Sequence, residues 1–200
     1  MRAIILAAGR GSRMGASTEE RHKCLMKVRG KRLIDWQLEA LQACGLNEIG
    51  VVTGYRSSDL KEFNLKEFNN SRWHQTNMVI SLTKANEWLS TSSCLVTYSD
   101  IFYMSSAIEL LLNCKNNIAI TYDKNWLNLW KNRFSDPLSD AESFKTNSSG
   151  MITEIGRKPS HVEEVEGQYM GLLKFSPTGW KTCSEMIEQL PVEERNTLHM

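Results

Sequence analysis

Apolar residues in this chain gather into short unbroken runs that alternate with stretches of helical spacing. Arg2–Ala7 is the first run, and its length suits a strand buried on both faces of a parallel sheet. Leu33–Cys44 carries Ile34, Leu38 and Leu41 on one helical face, and Gly45 supplies a C-terminal stop. The spacing then predicts a strand over Glu48–Gly54, a short helix near Ser58–Phe63, and a helix from about Met78 to Leu89 with Asn77 as its N-cap. Cys94–Tyr98 reads as a further buried strand, Ala107–Leu112 as a helix and Ile118–Tyr122 as a strand. This order implies a parallel sheet with right-handed crossovers.

The character changes after about Trp126. Asn147-Ser148-Ser149-Gly150 is a strong turn signal between Glu142–Thr146 and Met151–Ile155, which predicts a hairpin. Tyr169–Phe175 reads as one more strand, followed by a helix from Pro177 through Leu190. The whole is expected to be one α/β domain over residues 1–200, a doubly wound, mostly parallel sheet. A nucleotide-binding half would cover about 1–123, and a β-rich elaboration for an acceptor about 124–200.

Composition narrows the function. Two hundred residues with 41% hydrophobic and 24% charged positions suit a soluble globular chain that buries roughly 70% of its unfolded surface. A net charge of +1 gives no broad basic field to hold nucleic acid or an anionic membrane, so any phosphate must be bound by a few placed cations. The opening MRAIILAAG is too short to span a membrane and lacks a cleavage pattern, so a cytoplasmic protein is expected. The five cysteines stand far apart with no CxxC pair, and Cys44, Cys94 and Cys114 read as small hydrophobes rather than ligands or disulfide partners.

The chemistry is concentrated in Leu6-Ala7-Ala8-Gly9-Arg10-Gly11-Ser12-Arg13-Met14-Gly15. A buried strand running into small residues, glycines and arginines lets backbone N–H groups approach an anion closely. The loop also falls beyond the carboxyl end of a strand, where open α/β sheets bind ligands. It is not a dinucleotide fingerprint, because G-x-G-x-x-G counted from Gly9 puts Met14 at the last position. Nor does Gly30-Lys31-Arg32 complete a phosphate loop of the Walker type, which needs Ser or Thr after the lysine.

Leu6-Ala7-Ala8-Gly9-x-Gly11-x-Arg13-Met14 resembles the signature loop of the sugar nucleotidyltransferase superfamily, in the branch of phosphocholine cytidylyltransferase-like enzymes. The resemblance implies a Rossmann-like nucleotidyltransferase fold and a loop wrapped around the triphosphate of CTP. It also implies a lysine about ten residues on that contacts phosphate, matched here by Lys23. The family usually has proline before that lysine; this chain has His22, a departure expected to alter loop stiffness more than chemistry. Val96-Thr97-Tyr98-Ser99-Asp100 ends a buried strand in an acid, and the family carries an aspartate there to hold Mg²⁺ against the nucleotide phosphates. The candidate catalytic residues are therefore Arg13, Lys23 and Asp100, with Asp100 as metal ligand. Leu6–Arg13 and Ser99 line the nucleotide. Trp73-His74-Gln75-Thr76-Asn77-Met78 also resembles the branch, which adds Thr76 and Asn77, although Asn77 is equally placed to cap a helix.

On the acceptor side, Trp126, Arg133, Asp136 and Asp140 bring an aromatic face, a guanidinium and carboxylates into one segment. Such a set suits a molecule with both an amine and a phosphate. Trp126 and Trp130, four apart on a helix, would equally form its core face. Glu154, Lys158 and Glu166 join the acceptor set through motifs similar to the branch. The family generally supplies a second metal-binding aspartate near its C-terminus; the stretch to Thr197-Leu198-His199-Met200 contains none, and the sequence reads as shorter than its relatives. The expected reaction joins CMP to a small phosphorylated or phosphonate acceptor and releases pyrophosphate, without nucleic-acid or membrane partners and with room for a homodimer. Such products usually decorate capsules or other surface glycans. The rival readings are a sugar-1-phosphate nucleotidylyltransferase, a non-catalytic nucleotide-binding module, and, most distantly, a nicotinamide oxidoreductase.

Overall fold

A computed structural model of the chain describes residues 1–11 and 21–198. In chain order the elements are β1 (Arg2–Ala7), β2 (Lys27–Val28), β3 (Lys31–Arg32), α1 (Leu33–Ala43), β4 (Ile49–Thr53), β5 (Lys66–Asn69), α2 (Met78–Thr83), α3 (Asn86–Leu89) and β6 (Cys94–Tyr98). They continue with α4 (Ser105–Asn113), β7 (Ile118–Asp123), α5 (Trp126–Arg133), β8 (Phe144–Thr146), β9 (Ile152–Ile155), β10 (Gln168–Phe175), α6 (Pro177–Gln189) and α7 (Val192–Thr197). The chain divides into two compact units, one of residues 1–119 and 171–200, the other of residues 120–170. The later boundary lies at Met170 because β10 returns to the first unit's sheet.

The main sheet has the order β5-β4-β1-β6-β10-β7. β1 pairs in parallel with β4 on one side and with β6 on the other. Successive strands therefore leave β1 in opposite directions. That switch point puts the crevice for a ligand beyond the carboxyl ends of β1 and β6. β5, β4, β1 and β6 pair in parallel, whereas β10 runs antiparallel to β6. Because side chains alternate along a strand, Ala3, Ile5 and Ala7 face one layer. There they join Ile34 and Leu41 of α1 and Ile108 and Leu111 of α4 in one core cluster. α2 packs on the β1 and β4 side of the sheet. Truncating one of these buried branched residues to alanine removes about 2–5 kcal/mol.

Three elements differ from the pattern of the sequence. The helix expected over Met78–Leu89 is two helices, α2 and α3, because i→i+3 bonds from Lys84 N–H to Ser81 and from Ala85 N–H to Leu82 tighten the turn between them. β5 escapes an apolar reading because only Phe68 among its four residues is buried. The β2–β3 hairpin is held by two residues, Arg29 and Gly30, both at positive φ, which is the two-residue turn that matches strand twist.

Candidate nucleotide site

Three successive carbonyls at the end of β1 are each tied to a different element, and this fixes where the glycine loop starts. Leu6 accepts from the Ser99 N–H at 3.2 Å, and Ala8 accepts from the Tyr55 N–H at 2.9 Å. Between them Ala7 is bonded to the imidazole Nε2 of His22 at 2.7 Å. A carbonyl only accepts, so Nε2 carries the proton; Nδ1 then accepts from the Cys24 N–H at 3.3 Å. His22 is 1% exposed, and burial pushes its pKa below the ordinary imidazole value. It caps the short 3₁₀ turn Lys23–Leu25. The residue that breaks the family's proline pattern is thus a neutral strut between β1 and the lysine turn. The adjoining Cys24 thiol is pushed up to about 12 by burial, as befits a small core residue.

Two glycines, one in the loop and one beside it, are needed for separate reasons. Gly11 has φ +71°, and a Cβ there would meet the Lys23 Cδ at 3.0 Å. The Lys23 stem therefore lies directly against the loop. Gly54, at the end of β4, admits no side chain because a Cβ would sit 2.6 Å from the Trp73 Cβ and 2.7 Å from the Ala8 carbonyl. Arg10 stands 6.0 Å from the Tyr55 ring, which in turn packs edge-on against Trp73 at 5.3 Å.

Lys23 Nζ forms an ion pair with Asp100 Oδ2, with both side chains about a quarter to a third exposed. The tip of β6 and the glycine loop of β1 therefore meet through Lys23. Predicted site residues separated by 77 positions in sequence share one corner of the sheet. Ser99, the residue before Asp100, is buried beside Leu6. Ser12 and Arg13 lie outside the described residues.

The segment before α2 is organised by a residue that sequence reading passed over. Asn70 is fully buried; its Nδ2 donates to the hydroxyls of Thr76 at 2.9 Å and Ser81 at 3.0 Å. The Thr76 hydroxyl in turn donates a hydrogen bond to the Arg72 carbonyl at 3.0 Å. Asn77 caps α2 by accepting from the Met78 N–H at 2.9 Å and donates to the Thr197 carbonyl at 3.2 Å. The capping assignment is therefore realised in this structure.

The second unit treats its predicted residues differently. Trp126 is 2% exposed, packs with Ala141 and Val165, and donates its indole N–H to the Val165 carbonyl at 3.0 Å. This corrects its assignment as an acceptor contact: the Trp126 ring is core, and its faces are packed rather than open to an amine. Lys158 Nζ donates to the carbonyls of Leu138 at 2.5 Å and Ser139 at 2.6 Å. Glu166 accepts from the Thr146 N–H and hydroxyl at 2.8 and 2.9 Å, which holds its pKa below the usual carboxylate range. Glu154 pairs with Arg157 at 2.6 Å, and that bond lowers its pKa too. Asp136 accepts from the Leu138 N–H at 3.0 Å, while Asp140 is exposed. Arg133 is exposed, with its guanidinium 5.1 Å from both the Trp130 and Phe134 rings.

A switch point at β1, a glycine turn at its end and a lysine–aspartate pair beside that turn share one corner of the sheet, and comparison with known proteins gives the class: a nucleotidyltransferase. The chain belongs to the MobA-like NTP transferase domain family, whose model matches residues 3–152. It is similar over its whole length to the CTP:phosphoglutamine cytidylyltransferase of Campylobacter jejuni, 38% identical over 209 aligned positions that cover 81% of that protein. It is also 38% identical to the choline-phosphate cytidylyltransferase of Streptococcus pneumoniae over 96 residues, 46% of this chain and 42% of the relative. Among solved structures, CTP:phosphocholine cytidylyltransferase from Streptococcus pneumoniae superposes with a TM-score of 0.65 at 21% identity, covering 92% of this chain and 74% of the other. The inositol-1-phosphate CTP transferase of T. maritima gives 0.67 at 18% identity over 88% of this chain and 71% of the other. Among the described residues no helix is long and apolar enough to cross a membrane.

Proposed function

We propose that the chain transfers CMP from CTP to a small phosphorylated or phosphonate acceptor, with phosphoglutamine the first acceptor to test. The observation that carries this reading is the Lys23–Asp100 pair set against the Gly11 turn. The full-length similarity to a phosphoglutamine cytidylyltransferase supports the choice of base and acceptor. Phosphocholine and 2-aminoethylphosphonate are the next acceptors to try.

In the proposed reaction an acceptor phosphate or phosphonate oxygen attacks the α-phosphorus of CTP in line. The new P–O bond forms as the bond to the bridging oxygen breaks, and the electron pair leaves with pyrophosphate. A phosphate monoester is largely a dianion at neutral pH, so the attacking oxygen needs no protein base. The protein's part is to orient the two anions and neutralise their charge. Loop amides from Gly9 to Ser12, with Arg13 and Lys23, would bind the triphosphate; Ser99 and the Thr76–Asn77 segment would lie along the nucleoside.

Asp100 fits a Mg²⁺ ligand: a partly exposed carboxylate at a strand end, one of the one or two acids this ion takes beside phosphate oxygens. Among the described residues no group of three His, Cys, Asp or Glu forms a complete cage, so the nucleotide would complete the shell. When bound, the ion neutralises phosphate charge. Lys23 would then exchange its present partner, Asp100, for a phosphate.

In the second unit we propose Arg133 for the acceptor's phosphate and Asp140 for its amine, with Asp136 and Glu154 as further candidates and Lys158 and Glu166 as framework. We place the protein in the cytoplasm, making activated groups for capsule or other surface-glycan decoration. The test is a nucleotide-by-acceptor matrix read by pyrophosphate release. CTP with phosphoglutamine should give the fastest release. Preference for a hexose 1-phosphate would replace this reading with the sugar-1-phosphate rival, and binding without product for any acceptor would leave a non-catalytic module.

A further inference from the structure

The turn that presents Asp100 is suspended from one helix side chain that belongs to no motif. Gln37 lies in α1 with 0% of its surface exposed. Its Nε2 donates to the Tyr98 carbonyl at 2.7 Å and to the Ile101 carbonyl at 2.5 Å. Those two carbonyls bracket Ser99 and Asp100, so a single amide spans the turn. Both partners only accept, which requires the nitrogen rather than the oxygen to face them. Both amide hydrogens are thereby used, while Oε1 is buried with no hydrogen-bond partner among the described atoms.

A core position that merely filled space would take leucine or methionine and bury no unpaired carbonyl. No other neutral side chain except asparagine, which is one carbon shorter, offers two donors on one atom. A lysine or arginine there would bury a cation against the turn that carries Asp100. The Tyr98 carbonyl has a second donor, the Thr97 hydroxyl at 3.1 Å, so the Ile101 end of the turn depends most on the amide.

We propose that Gln37 is a positioning residue for the transfer reaction: it fixes the backbone of residues 98–101 so that the Asp100 carboxylate faces Lys23 and the phosphates. This rests on the functional reading of Asp100 given above. Groups that orient a metal-binding side chain typically change metal affinity or activity by about 10–100-fold when removed.

Two variants test it. Gln37→Met keeps length and loses both donors; Gln37→Glu keeps the shape and, when protonated, one donor. For Gln37→Met, calorimetry should show the Mg²⁺-dependent strengthening of CTP binding reduced roughly tenfold or more, with metal-free CTP affinity within about threefold of native. Pyrophosphate release should fall by a similar factor, with Gln37→Glu between the two. A crystal structure of Gln37→Met should show Asp100 withdrawn from Lys23. An intact Lys23–Asp100 pair with native Mg²⁺ dependence would overturn the proposal. So would an equal loss of metal-free CTP binding, which would mean general loosening. If Gln37→Met does not fold, Gln37→Glu carries the same comparisons. If the native chain turns over no nucleotide, the functional reading has failed, and the position of Asp100 in the variant crystal still decides the role of Gln37.

Discussion

The polar residues at the carboxyl edge of β1 and β6 converge on one another, whereas several of those in residues 120–170 are spent on holding their own unit together. At the strand edge, three carbonyls, a neutral imidazole and a lysine–aspartate pair form one corner, which under the proposed function would receive the triphosphate. In the second unit Trp126, Lys158 and Glu166 are committed to carbonyls and a threonine, and Arg133 and Asp140 keep exposed charge. Groups placed on strand ends are fixed by the topology of the sheet. Groups placed on short helices and a bulged hairpin, as in residues 120–170, are free to vary more.

That contrast can be broken most forcefully at Lys23. Charge reversal, Lys23→Glu, places a second carboxylate beside Asp100 and should lower CTP turnover by roughly 10³-fold. A loss under tenfold in steady-state pyrophosphate release would contradict the assigned role. Next in size is Trp126→Ala, expected to cost about 3–5 kcal/mol. Hydrogen exchange should show the loss within residues 120–170 while CTP affinity stays native; a matching loss of CTP binding would show the two regions to be energetically one.

Arg133→Ala is a smaller probe of the second unit alone. It should raise the KM for acceptor about tenfold and leave that for CTP unchanged. An unchanged acceptor KM would remove Arg133 from the proposed contacts.

The smallest effect is a pH dependence at His22. Its folded pKa is depressed, so below about 6.5 the unfolded chain binds the proton more readily than the native one. Its contribution to stability is complete above the ordinary imidazole value and is lost as pH falls through the folded one. Asp59 and Arg56 face the ring with opposite influences on that charge. Denaturant titrations of native protein and His22→Gln should diverge on acidification, the native protein losing stability faster. Parallel curves would show that the imidazole is not buried neutral.

Much of the fold could be read from the chain because it depended on local spacing. The apolar runs of β1, β4 and β6 and the 3.6-residue period of α1 match the observed elements to within a residue or two. β5 and the antiparallel course of β10 depended on pairing partners distant in sequence, which no local pattern encodes. The same divide holds at the site. Gly11, Lys23 and Asp100 are visible as motif positions because their chemistry is distinctive. Gln37, His22 and Asn70 act through buried hydrogen bonds to main-chain atoms and hydroxyls up to 64 residues away; in sequence Gln37 and Asn70 are ordinary polar residues, and His22 shows only as a replacement for the family's proline. Trp126 misled for the opposite reason, since an aromatic beside charged residues looks the same whether its face is open or packed.

The most direct test is a crystal structure with Mg²⁺ and a CTP analogue that cannot be cleaved between the α- and β-phosphates. The account predicts phosphate oxygens on the amides of Gly9 and Gly11, Lys23 turned from Asp100 onto the triphosphate, and Asp100 on the metal. A triphosphate bound elsewhere, with the Lys23–Asp100 pair intact, would contradict it.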